Sequence, residues 1–175
     1  MRSVYGNAFF LKGKGRHPMR KLVYLTVMAL VFSLSGKGLA RGDAAPGDRD
    51  ALKGLDTCKV IFDVRISDPE KMIFNLELIK ETLEGMQRQG VKPVMIAAFR
   101  GPGVKLLSRE GTTDEIRDLI VELKKKGVRI EVCAVATRVF KVDNSALVPD
   151  VVLVGNVLTS LIGYQNKGYA LIPVN

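Results

Sequence analysis

The stretch Pro93-Val-Met-Ile-Ala-Ala-Phe99 contains no polar side chain and is followed at once by the turn sequence Arg100-Gly-Pro-Gly103. Unbroken apolar runs of this length are typical of strands buried on both faces, which occur mainly in parallel sheets covered by helices. Glycine and proline supply the backbone conformations that a tight turn needs. The sequence therefore predicts a central strand over residues 93–99 that ends in a turn.

Helical patterns flank this strand on both sides. Before it, Ser67-Asp-Pro-Glu70 has the spacing of a capping box, and Gly90 closes the helix that it opens. After it, Thr112-Thr-Asp-Glu115 opens a second helix that ends before Gly127. Each predicted helix carries one apolar stripe at helical spacing. The stripes consist of Met72, Ile73, Leu76, Ile79, Leu83 and Met86 in the first helix and of Ile116, Leu119, Ile120 and Leu123 in the second.

Five further segments complete an alternation of strands and helices. Strands are predicted over Lys59–Val64, Val128–Ala134, Val151–Val154 and Tyr169–Val174, and a third long helix over Val157–Asn166. This order indicates an α/β protein with a mainly parallel sheet of five strands and three main helices. Pro173 predicts that the last strand lies at an edge of the sheet or ends there, because proline cannot donate to a ladder of hydrogen bonds.

Composition and charge argue against a nucleic-acid-binding protein. The 175-residue chain is 47% apolar and 26% charged, which is ordinary for a globular protein. Its net charge of +9 arises largely from residues 1–40, which hold seven Lys or Arg and no acid, so that the rest carries 20 basic and 18 acidic groups. Without a basic domain or a nucleic-acid-binding motif, nucleic acid is not an expected partner.

The small number of histidines and cysteines narrows the chemistry. The only histidine is His17, so the chain after residue 40 lacks the residue that Ser-His-Asp catalysis, Cys-His catalysis and histidine-ligated zinc require. Cys58 and Cys133 form no CxxC motif, and we predict neither a metal site nor a cofactor. Because the two cysteines lie at opposite ends of their predicted strands, a disulfide between them is also disfavoured.

The first 40 residues have the pattern of a secretory signal peptide. Basic residues precede the apolar run from Leu22 to Leu34, and small residues lead to a cleavage site after Ala40. The run is shorter than the roughly 20 residues of a permanent membrane span, so a retained anchor is the less favoured alternative. We therefore expect a periplasmic or secreted protein with no stable membrane span after cleavage. Its predicted parts are a signal peptide over 1–40, a flexible tether over 41–56 and one domain over 57–175.

Candidate functional residues follow the strands, because ligands of open α/β sheets bind beyond the carboxyl ends of the strands. Cys133 lies near the end of its strand, and nearby cationic groups favour the nucleophilic thiolate. The glycine-proline turn after Phe99 offers a guanidinium and backbone N–H groups to a small anion. We predict Cys133 as the catalytic residue, and Arg100, Gly101, Gly103, Arg138 and Asn156 as substrate-binding residues.

Each of these residues also has a structural interpretation. Free cysteine is among the most commonly buried residues, so Cys133 can equally be an inert core residue. The glycines of the turn need no function beyond their backbone conformation. Asp63 ends the first strand at the same edge and is a candidate acid, although aspartates that border turns are usually structural.

The segment Gly127-Val-Arg-Ile-Glu-Val-Cys-Ala-Val-Ala136 resembles the strand that carries the active cysteine in the DsrE/DsrF-like sulfur-relay family, with Cys133 at the position of that cysteine. Asn75, the turn Gly101-Pro-Gly-Val104 and the ending Gln165-Asn-Lys-Gly-Tyr-Ala-Leu-Ile-Pro173 resemble the exported, single-domain branch of that family. The resemblance implies a three-layer α/β/α fold, assembly into homotrimers or homohexamers, and a cysteine that accepts sulfane sulfur as a persulfide. Two departures are Arg100, where a histidine is common in the family, and the export signal, which argues against a role in transfer-RNA thiolation.

Two functions are compatible with these residues. The first is an exported sulfur carrier or sulfurtransferase-like accessory protein, in which Cys133 takes sulfur from a donor, Arg138 and backbone N–H groups stabilise the persulfide, and an acceptor thiol or protein receives the sulfur. The lack of a histidine base favours a carrier over an autonomous enzyme. The second is a non-catalytic oligomeric binding module with a core cysteine. Complete enclosure of Cys133, with no pocket or cation beside it, would favour the second function.

Overall fold

Residues 47–149 and 151–175 are described by a computed structural model, in which a five-stranded parallel sheet is covered by helices. The predicted signal peptide and the first part of the predicted tether, residues 41–46, lie outside the described residues. The rest of that tether contains α1 (Arg49–Leu52), a single helical turn preceded by Asp48, whose backbone N–H donates to the Gln89 side chain at 3.0 Å. Among the described residues, no helix has both the length and the apolar character needed to cross a membrane.

The sheet has the strand order β4–β3–β2–β1–β5, and every pair of neighbours is parallel. The strands are β1 (Thr57–Val64), β2 (Lys92–Phe99), β3 (Arg129–Cys133), β4 (Val152–Val154) and β5 (Ala170–Val174). This confirms the predicted parallel five-stranded sheet. It also confirms that the strand of Pro173 lies at an edge, where a residue without an N–H is tolerated.

The helices begin at residues with a specific capping geometry. After α1 come α2 (Pro69–Arg88), α3 (Asp114–Lys125), α4 (Ala134–Val139) and α5 (Val157–Asn166), with 3-10 turns at Gly101–Leu107 and Asn144–Ala146. The predicted caps are wrong by one residue. Asp68 rather than Ser67 caps α2, and Thr113 rather than Thr112 caps α3. In both helices the capping oxygen accepts from the N–H three residues later, at 2.9 and 3.2 Å, and this geometry sets the first residue of the helix.

The order of connections places the helices in two layers. From β1 to β4 the strands advance in one direction across the sheet, so right-handed crossovers put α2, α3 and α4 on one face. The last connection returns from β4 across β3, β2 and β1 to reach β5, so α5 lies on the opposite face. The result is the predicted three-layer α/β/α fold, in which α5 covers one face of the sheet and α2, α3 and α4 cover the other.

Burial is uneven across the sheet. The central strands are closed on both faces, and Ile61, Ala97, Phe99 and Ile130 have no exposed surface. By contrast, four of the five residues of β5 are exposed. A helix of ten residues covers only part of a face of five strands, so the edge at β5 retains exposed apolar side chains.

Candidate functional site

Cys133 is the last residue of β3 and lies at the N-terminus of α5. Its Sγ accepts a hydrogen bond from the backbone N–H of Val157, with an N···S distance of 3.4 Å. The first N–H groups of a helix have no intrahelical partner and form the positive end of the helix dipole, and the Cys133 sulfur occupies one of these donors. Cys133 is 4% exposed, and both it and Cys58 are free.

Arg100 is the cationic neighbour of Cys133. It follows β2 directly, and because Phe99 pairs with Val132, the next step along both strands brings Arg100 beside Cys133. The guanidinium of Arg100 donates from Nε to Asp63 Oδ1 at 2.7 Å and from Nη2 to Oδ2 at 2.8 Å. The pKa of Arg100 is raised above its ordinary value, mainly by these hydrogen bonds and also by the charges of Asp63 and Cys133, against the opposing effect of burial. Arg100 and Cys133 therefore follow paired strands at the same level of the sheet.

The glycine-proline turn fixes the backbone just beyond Arg100. Gly101 has a φ of +65°, a left-handed conformation that glycine adopts without strain. Gly103 is buried, and a Cβ atom at this position would overlap the carbonyl oxygen of Ile66 in the loop after β1. Both glycines thus have a structural reason in the described residues, and their role in substrate binding stays a prediction.

The remaining predicted residues differ in their relation to the sulfur. Asn156 caps α5, since its Oδ1 accepts from the Leu158 N–H at 3.0 Å, and it directly precedes Val157, the donor to Cys133. Arg138 is exposed on α4, and its side chain makes no hydrogen bond or ion pair with any residue that the structure describes. The structure therefore brings Cys133, Arg100 and the capped end of α5 together, whereas Arg138 stays a prediction.

Sequence analysis missed a buried acid on the same strand face. Glu131 is two residues before Cys133, and its side chain is 2% exposed. Its Oε1 accepts from Arg129 Nε at 2.7 Å and from Tyr164 Oη at 3.1 Å, while its Oε2 has no hydrogen-bond partner in the described part of the chain. Burial, followed by the negative charge of Glu131, raises the pKa of Tyr164 and keeps its phenol protonated as a donor. The sequence signal for this buried acid was that Glu131 is the only acid in the predicted strand 128–134.

A groove of about 580 Å³ runs along α5 from the loop after β4. Gly155 and Asn156 line its start, and both are exposed. They come directly after Val154, which is the strand partner of Cys133. The groove therefore brings solvent to the loop beside the buried sulfur. Within residues 47–149 and 151–175, no group of three or more His, Cys, Asp or Glu is arranged to hold a metal ion.

Comparisons with known proteins agree with this architecture. The sequence profile of the DsrE/DsrF-like family matches residues 59–174. Similar solved structures are the protein of unknown function MTH1491 from Methanobacterium thermoautotrophicum (20% identity, TM-score 0.58), the ychN protein from E. coli (16%, 0.51) and the conserved protein of unknown function BT1422 from Bacteroides thetaiotaomicron (20%, 0.51). They cover 66%, 66% and 68% of this chain and 98%, 98% and 95% of their own. No curated protein matches the chain. At these identities, the structural likeness supports the fold alone.

Proposed function

Because the chain belongs to the DsrE/DsrF-like family, which is of the sulfur-relay type, we propose that it carries sulfane sulfur as a persulfide on Cys133. The observation that carries this proposal is the position of Cys133 Sγ, which accepts the Val157 N–H at the start of α5 and lies beside Arg100. Helix N-termini and arginines are the surroundings that favour a thiolate. The same donors stabilise the terminal sulfur of a persulfide, which is also an anion.

The transfer is an exchange between thiols and sulfane sulfur that needs no oxidant. The Cys133 thiolate attacks the outer sulfur of a donor persulfide, a new S–S bond forms on Cys133, and the donor leaves as a thiolate. An acceptor thiolate then attacks the outer sulfur of the Cys133 persulfide and regenerates the Cys133 thiolate. No general base is required once the attacking thiols are ionised, so the function fits a chain whose described residues contain no histidine. If the predicted signal peptide is used, the donors and acceptors lie outside the cytoplasm.

The low exposure of Cys133 favours a second candidate, a binding module in which this cysteine only fills the core. Only 4% of the residue is exposed, and Val132 and Ala136 around it are buried. Against this candidate, Cys133 faces α5 and Arg100 rather than the apolar stripe of α3. The two candidates differ in whether the sulfur reacts in the folded protein.

Intact mass after exposure to inorganic polysulfide distinguishes the two candidates. In the parent chain we expect the addition of one sulfur atom that a thiol reductant removes. Cys133→Ser abolishes the addition, because serine has no nucleophilic sulfur, whereas the matched control Cys58→Ser retains it. Absence of the adduct from the parent, or its persistence in Cys133→Ser, rejects the carrier and leaves the binding module.

We also propose that the protein assembles into the trimer or hexamer that the family resemblance implies. Exposed apolar side chains lie on α5 and β5, where Leu158, Ile162, Leu171 and Ile172 are 49%, 62%, 40% and 41% exposed. Alternate residues of a strand point to opposite faces, so Leu171 and Ile172 leave both faces of β5 apolar. Exposed apolar side chains grouped on neighbouring elements are typical of an interaction site.

Light scattering of the purified chain is expected to give the mass of three or six copies. Ile162→Lys is expected to lower this mass to that of the monomer, because a lysine buried at the interface has no counter-charge. The control Phe74→Lys alters an equally exposed side chain, 66%, on α2. A monomeric parent contradicts the proposed assembly. Dissociation by Phe74→Lys but not by Ile162→Lys places the interface on α2 instead.

A further inference from the structure

Asp63 is a buried carboxylate that the proposed sulfur exchange does not use directly. It lies near the end of β1, and its side chain is 8% exposed. Two arginines share it: Arg100 donates to both of its oxygens, and Arg65 Nε lies 3.8 Å from Oδ2. A carboxylate that accepts from a guanidinium through both oxygens forms a strong two-point contact. Both oxygens of Asp63 are therefore engaged by Arg100.

This contact fixes Arg100 in a single orientation. Two parallel N–H···O bonds to one carboxylate set both the position and the plane of a guanidinium. The Arg100 side chain is 27% exposed, so solvent competes little for its donors. Cys133 lies on the adjacent strand, and its charge contributes to the raised pKa of Arg100. Asp63 on β1 thus holds Arg100 after β2, and β2 is paired with β3, which ends at Cys133.

We propose that Asp63 is a positioning residue for Cys133, because it holds Arg100 beside the sulfur and thereby favours the thiolate and the persulfide. This inference rests on the proposed function and assigns a role to a residue that does not itself touch the transferred sulfur. The other charged groups near this end of the site are Glu131, which is paired with Arg129, and Arg138 on α4. The helix α5 contains no charged residue.

Position and charge predict opposite effects for the removal of Asp63. A carboxylate is negative, and by its charge alone it opposes the ionisation of a nearby thiol. If charge alone mattered, Asp63→Asn would let Cys133 react as a thiolate at lower pH. If Asp63 acts by holding Arg100, the released guanidinium turns to solvent and the thiolate forms only at higher pH. The direction of the change therefore distinguishes the two explanations.

The test measures the rate at which iodoacetamide alkylates Cys133 across pH, in the full chain with Cys58→Ser. For Asp63→Asn, we expect the midpoint of the pH profile to rise by about one pH unit. Arg100→Gln is expected to raise it at least as much. Adding Asp63→Asn to Arg100→Gln is expected to give no further rise, because Asp63 then has no guanidinium to hold beside Cys133. A midpoint that falls or stays unchanged in Asp63→Asn overturns the proposal.

Two further variants control for charge and for folding. Arg65→Gln removes a cation that contacts Asp63 but does not lie beside Cys133, and a much smaller shift is expected. Arg100→Lys keeps the charge but loses the two-point contact, so an intermediate midpoint is expected. If the midpoint of Arg100→Lys equals that of the parent, charge alone suffices and the proposal is overturned. Thermal unfolding detects whether Asp63→Asn folds, and where it does not, Arg100→Lys still decides the proposal.

Loading with polysulfide separates this inference from the function on which it rests. A raised midpoint in Asp63→Asn, together with no sulfur adduct in the parent, retains the positioning role and rejects the sulfur carrier. An adduct in the parent, together with an unchanged midpoint, retains the carrier and rejects the positioning role.

Discussion

Arg129→Met is expected to destabilise the protein by about 3–5 kcal/mol, although it removes a half-exposed residue. The Arg129 side chain is 46% exposed, whereas that of its partner Glu131 is 2% exposed. Without Arg129, the buried carboxylate keeps, within the described part of the chain, only the Tyr164 hydroxyl as a donor. A buried charge that loses its counter-charge is much less favourable than a broken ion pair at the surface, where water replaces the partner.

The reverse change separates the buried charge from the ion pair itself. Glu131→Gln breaks the same pair, but it leaves an arginine that reaches water and a carbonyl oxygen that still accepts from Tyr164. We expect a loss of about 1 kcal/mol. Arg117→Met is the surface control, because Arg117 pairs with Asp114, which is 88% exposed, and its loss is expected to stay within about 0.5 kcal/mol.

Urea unfolding of the parent and the three variants measures these differences in the free energy of unfolding. The comparison requires that the free energy falls with urea concentration at the same slope in all four proteins. The expected order of loss is Arg129→Met, then Glu131→Gln, then Arg117→Met. Equal losses for Arg129→Met and Glu131→Gln would mean that the ion pair, and not the burial of Glu131, is the stabilising element.

The regular elements of this fold could be predicted because their signals are local. The apolar run 93–99 lies within β2, and the predicted helix Val157–Asn166 has the same bounds as α5. A continuous apolar strand or an apolar stripe at helical spacing needs no knowledge of distant residues. The caps were less predictable, since Ser67 and Asp68, or Thr112 and Thr113, are neighbouring residues that can both cap a helix, and only the backbone path chooses between them.

The site could be predicted only in part, because its key contacts join different strands. Cys133 was identified from its place at the end of a strand, and Arg138, which is near it in the chain, was predicted to stabilise its persulfide. Arg100 was predicted only as an anion-binding residue of the turn, and its proximity to Cys133 follows from the register between β2 and β3. Register depends on pairing between segments distant in sequence, which composition and periodicity do not reveal.

The buried state of Glu131 could not be predicted for a related reason. A charged side chain in a strand is usually predicted to face solvent. Whether a side chain on this face of the sheet is buried depends on the path of α5, which covers that face. The Tyr164 hydroxyl that contacts Glu131 comes from this returning helix. The sequence signal, one acid within an apolar strand, indicates a paired buried charge only after the crossing of α5 is known.

Gly103→Ala is expected to destabilise the protein by about 3 kcal/mol, because the added methyl group has no space. A Cβ at this position would overlap the carbonyl oxygen of Ile66, and a backbone atom cannot move aside as the end of a side chain can. The loop after β1 and the turn after β2 must then separate. Thermal unfolding is expected to show a fall in Tm of roughly 10 °C.

Gly163→Ala is the matched control and is expected to have the opposite sign. No atom lies within 4 Å of a Cβ built at Gly163, which is in the interior of α5. Alanine there is expected to stabilise the helix by about 0.5–1 kcal/mol. A neutral Gly103→Ala would show that the two loops are free to move apart. Asp63 precedes the first of these loops and Arg100 precedes the turn, so their contact is disturbed as well. Alkylation of Cys133 in Gly103→Ala is therefore expected to show a raised pH midpoint, even at temperatures where the variant remains folded.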